Sequence, residues 1–192
     1  MRLYLVRHTR VDVPKGICYG HADVDVVDTF HEELAAIQSR LRGITFDKTY
    51  SSPLKRCVLL ANELSESHIV DDRIKEYNFG KWEYSKWDDI YAQEHGKKWF
   101  DDYLNTRCPE GESFRMLLQR VQRFIDDLPQ NDGNILIVTH AGIIRSFLVL
   151  IENYSIDKAF DTAIAYGQVV KISHLRSSKN NKYIHRINPS RQ

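Results

Sequence analysis

Ile135-Leu136-Ile137-Val138 is an unbroken apolar run, and a nearly all-apolar helix reads from about Gly142 to Glu152 directly after it. Successive residues of a strand point to opposite faces, so a strand that is apolar at every position must be covered on both. That requirement points away from a half-solvated antiparallel sheet and toward a parallel sheet carrying helices on its two faces. Arg2–Arg7, with Leu3-Tyr4-Leu5-Val6 inside it, is a second such strand, and it stops at a polar stretch holding Pro14 and Gly16. Shorter strands read near Lys48–Ser51 and at Ile69–Val70.

Helical periodicity fills the intervals. Phe30, Leu34, Ile37 and Leu41 recur at spacings of three and four, behind a capping box formed by Thr29 and Glu32. Leu54 to Leu64 reads as a helix with Pro53 as its first helical residue. Phe114, Leu117, Leu118, Val121, Phe124, Ile125 and Leu128 trace a third stripe. Short helices are expected at about 84–95 and 97–104. Gln168–Leu175 and Lys182–Ile187 read as strands joined by the turn-like residues 177–181. The expected fold is α/β: a three-layer, doubly wound, mostly parallel sheet with helices on both faces and an antiparallel edge strand or hairpin. The whole chain, residues 1–192, reads as a single domain with a lid-like aromatic and helical segment at about 77–109, which holds Trp82, Trp87 and Trp99.

Charge narrows the partners. Twenty-seven basic and 26 acidic residues give a net charge of +1, against nucleic-acid or membrane binding by the molecule as a whole. The total conceals a tail, residues 176–192, with Arg176, Lys179, Lys182, Arg186, Arg191 and no acid, read as a solvated edge. Cys18, Cys57 and Cys108 are odd in number and widely spaced, which argues against a disulfide framework and for a reducing, cytoplasmic setting. The apolar stretch before Arg7 is too short for a signal-peptide core, and no run approaches a membrane span. Monomer and homodimer both stay open.

In open α/β sheets ligands bind beyond the carboxyl ends of the strands. Arg7-His8 follows the first strand, Arg56 lies in the first helical turn after the second, Glu76 follows the third, and His140 follows the fourth. Two guanidinium groups, two imidazoles and a carboxylate would thus share one rim, with no acidic cluster to hold a metal. Arginine matches the geometry of a phosphoryl oxyanion, and a neutral imidazole is a competent nucleophile. A carboxylic acid in reach could protonate a departing alkoxide and then activate water. The residues themselves point to metal-free phosphoryl transfer through a phosphohistidine, without a cofactor, on a small-molecule phosphate ester.

At these positions the chain resembles the histidine phosphatase (phosphoglycerate mutase-like) superfamily. The matching segments are Leu5-Val6-Arg7-His8, Ser51-Ser52-Pro53-Leu54-Lys55-Arg56, residues 74–83, Pro109-Glu110-Gly111-Glu112-Ser113 and Val138-Thr139-His140-Ala141-Gly142, in family order. The resemblance implies that His8 is the phosphorylated nucleophile, that Arg7, Arg56 and His140 bind the phosphoryl group, and that Glu76 is the proton donor, with His8, Glu76 and His140 the catalytic set. Residues 15–24 are similar to the bacterial α-ribazole phosphatases, which implies substrate contacts at Tyr19 and Gly20. A broad sugar or nucleotide phosphatase, a mutase-like enzyme and a non-catalytic phospholigand-binding module are the alternatives.

The chain departs from the family pattern in four places. Thr9 replaces the Gly that usually follows the nucleophile. The Asp12-Val13-Pro14 stretch replaces a frequent Asn. Tyr84 stands where Gly commonly follows Trp-Glu, and Asp25-Val26 stands where Pro-Leu is usual. Glu83, seven residues after Glu76, is a rival for the acid role. Glu112 and Ser113 read equally well as helix-start residues or as ligands.

Overall fold

The computed structural model describes residues 1–129 and 133–173. Its strands are β1 (Arg2–Arg7), β2 (Lys48–Ser51), β3 (Ile69–Val70), β4 (Asn134–Thr139) and β5 (Val169–Ile172), and its helices are α1 (Phe30–Leu41), α2 (Lys55–Leu64), α3 (Trp87–Ala92), α4 (Glu94–Asp101), α5 (Phe114–Asp126), α6 (Ala141–Leu150) and α7 (Ile156–Asp161). The five strands form one sheet in the order β3-β2-β4-β1-β5. All neighbours run parallel except β5, which pairs antiparallel with β1 at one edge. The expected α/β class, with a mostly parallel sheet and an antiparallel edge strand, is what the chain adopts.

Alternation along the central strands builds two cores. Leu3, Leu5, Ile135 and Ile137 face the larger one, with Phe114, Leu117 and Val121 of α5 and Ile143 and Phe147 of α6. Tyr4, Val6, Leu136 and Val138 face the smaller one, with Leu34 and Ile37 of α1 and Cys57 and Leu60 of α2. Each strand residue is buried on one side or the other, which is why the runs show no polar alternation. Registers such as Val6 opposite Val138 and Tyr50 opposite Ile137 bring the carboxyl ends of β1, β2 and β4 level with one another.

Several local expectations are corrected. The Thr29–Glu32 capping box does not form: Thr29 makes no side-chain cap bond, and its hydroxyl donates to Glu33 Oε1 instead. Glu33 also accepts from the backbone and side chain of Arg10, so the residue that organises this helix start lies one position later than expected. The second helix begins at Lys55 rather than Pro53; Leu54 is extended, and Asp23 from a distant loop accepts the Lys55 N–H at 2.7 Å. The two short helices of the aromatic segment are Trp87–Ala92 and Glu94–Asp101, not 84–95 and 97–104: Tyr84 adopts a left-handed φ of 66° that a helix cannot contain, and the extended Gln93 separates the two. Helix α7 was not expected at all. The first closing strand covers Val169–Ile172, with Gln168 and Ser173 outside it, and residues 174–175, the expected strand 182–187, its turn and the basic tail lie outside the described residues.

Candidate active site

β1 delivers Arg7 and His8 to the rim. The His8 N–H donates to the Thr139 carbonyl at the end of β4, and the Gly167 N–H is shared between the carbonyls of Arg7 and His8 at 3.2 Å each. His8 is 1% exposed and His140 fully buried. Their rings stand edge-on with centroids 5.1 Å apart. His8 Nδ1 lies 2.7 Å from the Thr9 carbonyl, which can only accept, so this nitrogen carries the proton and Nε2 keeps its lone pair. Burial first, then Arg56 and Arg7, hold the His8 pKa well below the ordinary histidine value, which keeps the ring neutral. His140 is pushed the same way by burial, then by Arg56 and His8.

Arg56 is fully buried on the first turn of α2. Its two terminal nitrogens donate to the carbonyls of Ala22 and Gly20 at 2.8 and 2.6 Å, and Arg7 donates to the Ile164 carbonyl. Among the described residues, every hydrogen bond these guanidinium groups make goes to a neutral backbone oxygen. Among the same residues the buried Nε atoms of Arg7 and Arg56 and the buried hydroxyl of Thr9 find no partner. Buried unsatisfied donors are costly and therefore rare, and here three sit on residues at or around the nucleophile. An oxyanion is the ligand that would satisfy them.

Glu76 and Glu83, the two rivals for the acid role, are separated by their surroundings. The Glu76 carboxylate sits at the start of α6, accepting the Gly142 N–H at 3.1 Å and the Tyr77 N–H at 3.0 Å. It lines a cavity of about 360 Å³ together with Arg7 and Tyr19. Glu83 does not line it. Its two oxygens accept the N–H groups of Gly20, His21, Ala22 and Phe79, which makes it the internal tie of the loop that Arg56 also grips. Gly20 belongs to that tie and is absent from the cavity wall; a Cβ there would lie 1.8 Å from the Tyr77 carbonyl.

Most of the rest of the cavity wall is aromatic. Trp87 and Trp99 lie nearly parallel with centroids 6.1 Å apart, and Phe79, Phe160 and Tyr166 join them. Arg145 of α6 completes one side, held by the carbonyls of Ala159 and Thr162. The Ser113 hydroxyl caps α5, and Glu112 just before it pairs with Arg120 at 2.7 Å.

Sequence reasoning missed Ser52, Phe160 and Tyr166. Ser52 Oγ lies 2.8 Å from His140 Nε2, a contact foreshadowed only by its place between the second strand and Pro53. Phe160 rides on the unexpected α7. Tyr166 carries no motif. Among the described residues, no three His, Cys, Asp or Glu side chains gather as metal ligands, and no helix is long and apolar enough to cross a membrane.

A mostly parallel sheet that presents two buried histidines, a buried Arg56 and a half-buried Arg7 at its carboxyl edge defines the class to which this chain belongs. The model of the histidine phosphatase superfamily, branch 1, matches residues 3–189, and the chain is a member of that family. The adenosylcobalamin/alpha-ribazole phosphatase of Escherichia coli K12 is 32% identical over 154 residues, covering 75% of each chain. Phosphoserine phosphatase 1 of Hydrogenobacter thermophilus is 27% identical over 155 residues, 76% of this chain and 74% of that one. Among solved structures, the alpha-ribazole phosphatase from Shigella flexneri superposes with a TM-score of 0.83 at 26% identity, covering 93% of this chain and 92% of that one. Together these relatives support a phosphatase.

Proposed function

We propose that the chain is a metal-independent phosphomonoesterase that works through a phosphohistidine, with α-ribazole 5′-phosphate as its substrate. The observation that carries the reaction type is the neutral, buried His8 flanked by two guanidinium groups, each with a buried, unspent Nε donor. Nε2 of His8 attacks phosphorus, the bond from phosphorus to the ester oxygen breaks, and Glu76 gives that oxygen a proton. A water then attacks the phosphohistidine, Glu76 takes the water's proton, and inorganic phosphate leaves. Arg7 and Arg56 hold the charge that spreads over the phosphoryl oxygens, and His140 stands beside them, tied to Ser52. Electrostatic preorganisation of this kind is usually the largest catalytic term.

The wall supports this substrate. An aromatic chamber next to Glu76 favours a leaving alcohol that carries a flat ring, since stacking adds about 0.5–1.5 kcal/mol per ring pair beyond burial. α-Ribazole is a nucleoside with a flat aromatic base, and the 32% identical relative bears that substrate in its name. The residue 77–109 segment supplies the stacking faces and acts as the lid. A second reading, a phosphatase of small anionic esters such as phosphoserine, draws on the Hydrogenobacter relative and on Arg145 at the cavity wall.

A side-by-side measurement of kcat/KM separates them. α-Ribazole phosphate should exceed phosphoserine, 3-phosphoglycerate and common sugar and nucleotide phosphates by at least about tenfold, the effect of one or two stacked rings. A higher value for phosphoserine would transfer the assignment to the second reading. His8→Ala should abolish turnover of all of them together with any acid-labile phosphoenzyme; a His8→Ala enzyme that still turns over removes the mechanism.

A further inference from the structure

Neither a motif nor the catalytic scheme gives Tyr166 a part, yet its ring lies against both Arg7 and His8. Its ring centroid is 3.8 Å from the Arg7 guanidinium carbon and 5.6 Å from the His8 ring. Its hydroxyl is 2.7 Å from the hydroxyl of Tyr19, whose own ring faces Arg56 at 5.5 Å. One phenol–phenol hydrogen bond therefore bridges the two arginines, above a nucleophile that is 1% exposed. His8 does not line the cavity of about 360 Å³, whereas Tyr19 and Tyr166 both do.

The surroundings leave Tyr166 room to move. Tyr166 also lines a second cavity, of about 440 Å³, with Arg10, Val13 and Lys15 among its walls. The backbone beside it is fixed, because Gly167 has a φ of 65° and its N–H is anchored to the carbonyls of Arg7 and His8. A side-chain rotation needs no backbone rearrangement under these conditions.

We propose that Tyr166 is a substrate-binding residue on the phosphate side of the site, acting in a clasp with Tyr19. An incoming phosphate dianion breaks the bond between the phenols, and each hydroxyl then donates to a phosphoryl oxygen. The exchange replaces one neutral hydrogen bond with two to a charged acceptor, which are roughly twice as strong each. It also takes the Tyr166 ring off Arg7 and frees that guanidinium for the anion. The proposal rests on reading the pocket as one that receives a phosphate.

The test uses Tyr166→Phe and Tyr19→Phe, which keep each ring and remove only the hydroxyl. Inorganic phosphate binding is measured by calorimetry, and p-nitrophenyl phosphate hydrolysis by steady-state kinetics. Each variant should raise the phosphate Kd and the KM about tenfold, with kcat changed by less than about threefold and the melting curve unchanged. A merely structural phenol would not raise Kd and KM in step while leaving melting unaltered. If Tyr166→Phe binds phosphate within about twofold of the unaltered protein, the clasp is wrong even where turnover is normal. If the unaltered protein hydrolyses no ester but Tyr166→Phe still weakens phosphate binding, the phosphatase reading falls and the clasp stands. Should Tyr166→Phe melt early, the same comparison on Tyr19→Phe decides.

Discussion

Glu76 and Glu83 are seven residues apart, identical in chemistry, and opposite in surroundings. Glu76 reaches the cavity and receives two backbone N–H groups; Glu83 receives four and never meets the cavity. A carboxylate that ties down four amides is holding a loop in shape, whereas one at an open wall can exchange a proton with a ligand. Glu76→Gln should therefore lower kcat by about 10² to 10⁴, the span of general acid–base help, with little change in melting temperature. Glu83→Gln should do the reverse, costing about 1–3 kcal/mol of stability as hydrogen bonds to a charged group are weakened, and reaching catalysis only through the Arg56-bearing loop. Thermal melts and kcat measured on both variants check this; a kcat loss confined to Glu83→Gln would exchange the two roles. The spacing of the motif displayed both acids. It could not display which distant backbone amides reach each one, Gly142 for Glu76 and residues 20–22 for Glu83.

At the scale of elements, legibility followed the period of the pattern. β1, β4, α5 and α6 came through because their apolar runs answer to a core that covers whole faces. Boundaries set by a partner from elsewhere did not. Asp23 caps α2 from a separate loop, and Glu33 organises the start of α1 together with Arg10, so the local capping signals at Pro53 and Glu32 misled. Tyr84 shows how an element end and a family departure coincide. Its φ of 66° is the conformation for which the family's usual Gly is suited, and a left-handed non-glycine residue costs roughly 1–2 kcal/mol. The side chain is 62% exposed, so little packing offsets that strain. Tyr84→Gly relieves the strain but adds unfolded-state entropy of about 0.5–1 kcal/mol. The balance predicts a gain of up to about 1 kcal/mol in denaturant unfolding, with the N–H of residue 84 still bonded to the Cys18 carbonyl. A loss of stability in that variant would mean that the tyrosine ring contributes more than its exposure suggests.

For the whole molecule, the net charge of +1 hides a concentration of positive groups at one end of the sheet, and the fold answers by keeping His8 and His140 uncharged. That choice has a global consequence. In the unfolded chain both imidazoles titrate at the ordinary value of 6.5, while in the folded protein both stay neutral well below it. Above 6.5 the two states bind the same protons at these sites, so stability does not depend on them. As the pH falls below 6.5 the unfolded chain takes up protons that the folded one refuses, and stability declines until the folded values are reached. His21, its pKa also lowered by burial and then by Arg120, adds to the same trend. Each fully refused proton contributes about 1.4 kcal/mol per pH unit, so His8 and His140 together approach about 2.7 kcal/mol per unit. Urea midpoints should therefore be level from pH 8 to about 7 and fall steeply from about pH 6 to 5, before most carboxylates begin to titrate. His140→Asn should flatten that decline relative to the unaltered protein, even if it lowers stability at neutral pH. Equal midpoints at about pH 5 and 7 would mean that the folded protein charges its histidines readily, and a nucleophile held neutral by burial would no longer describe this site.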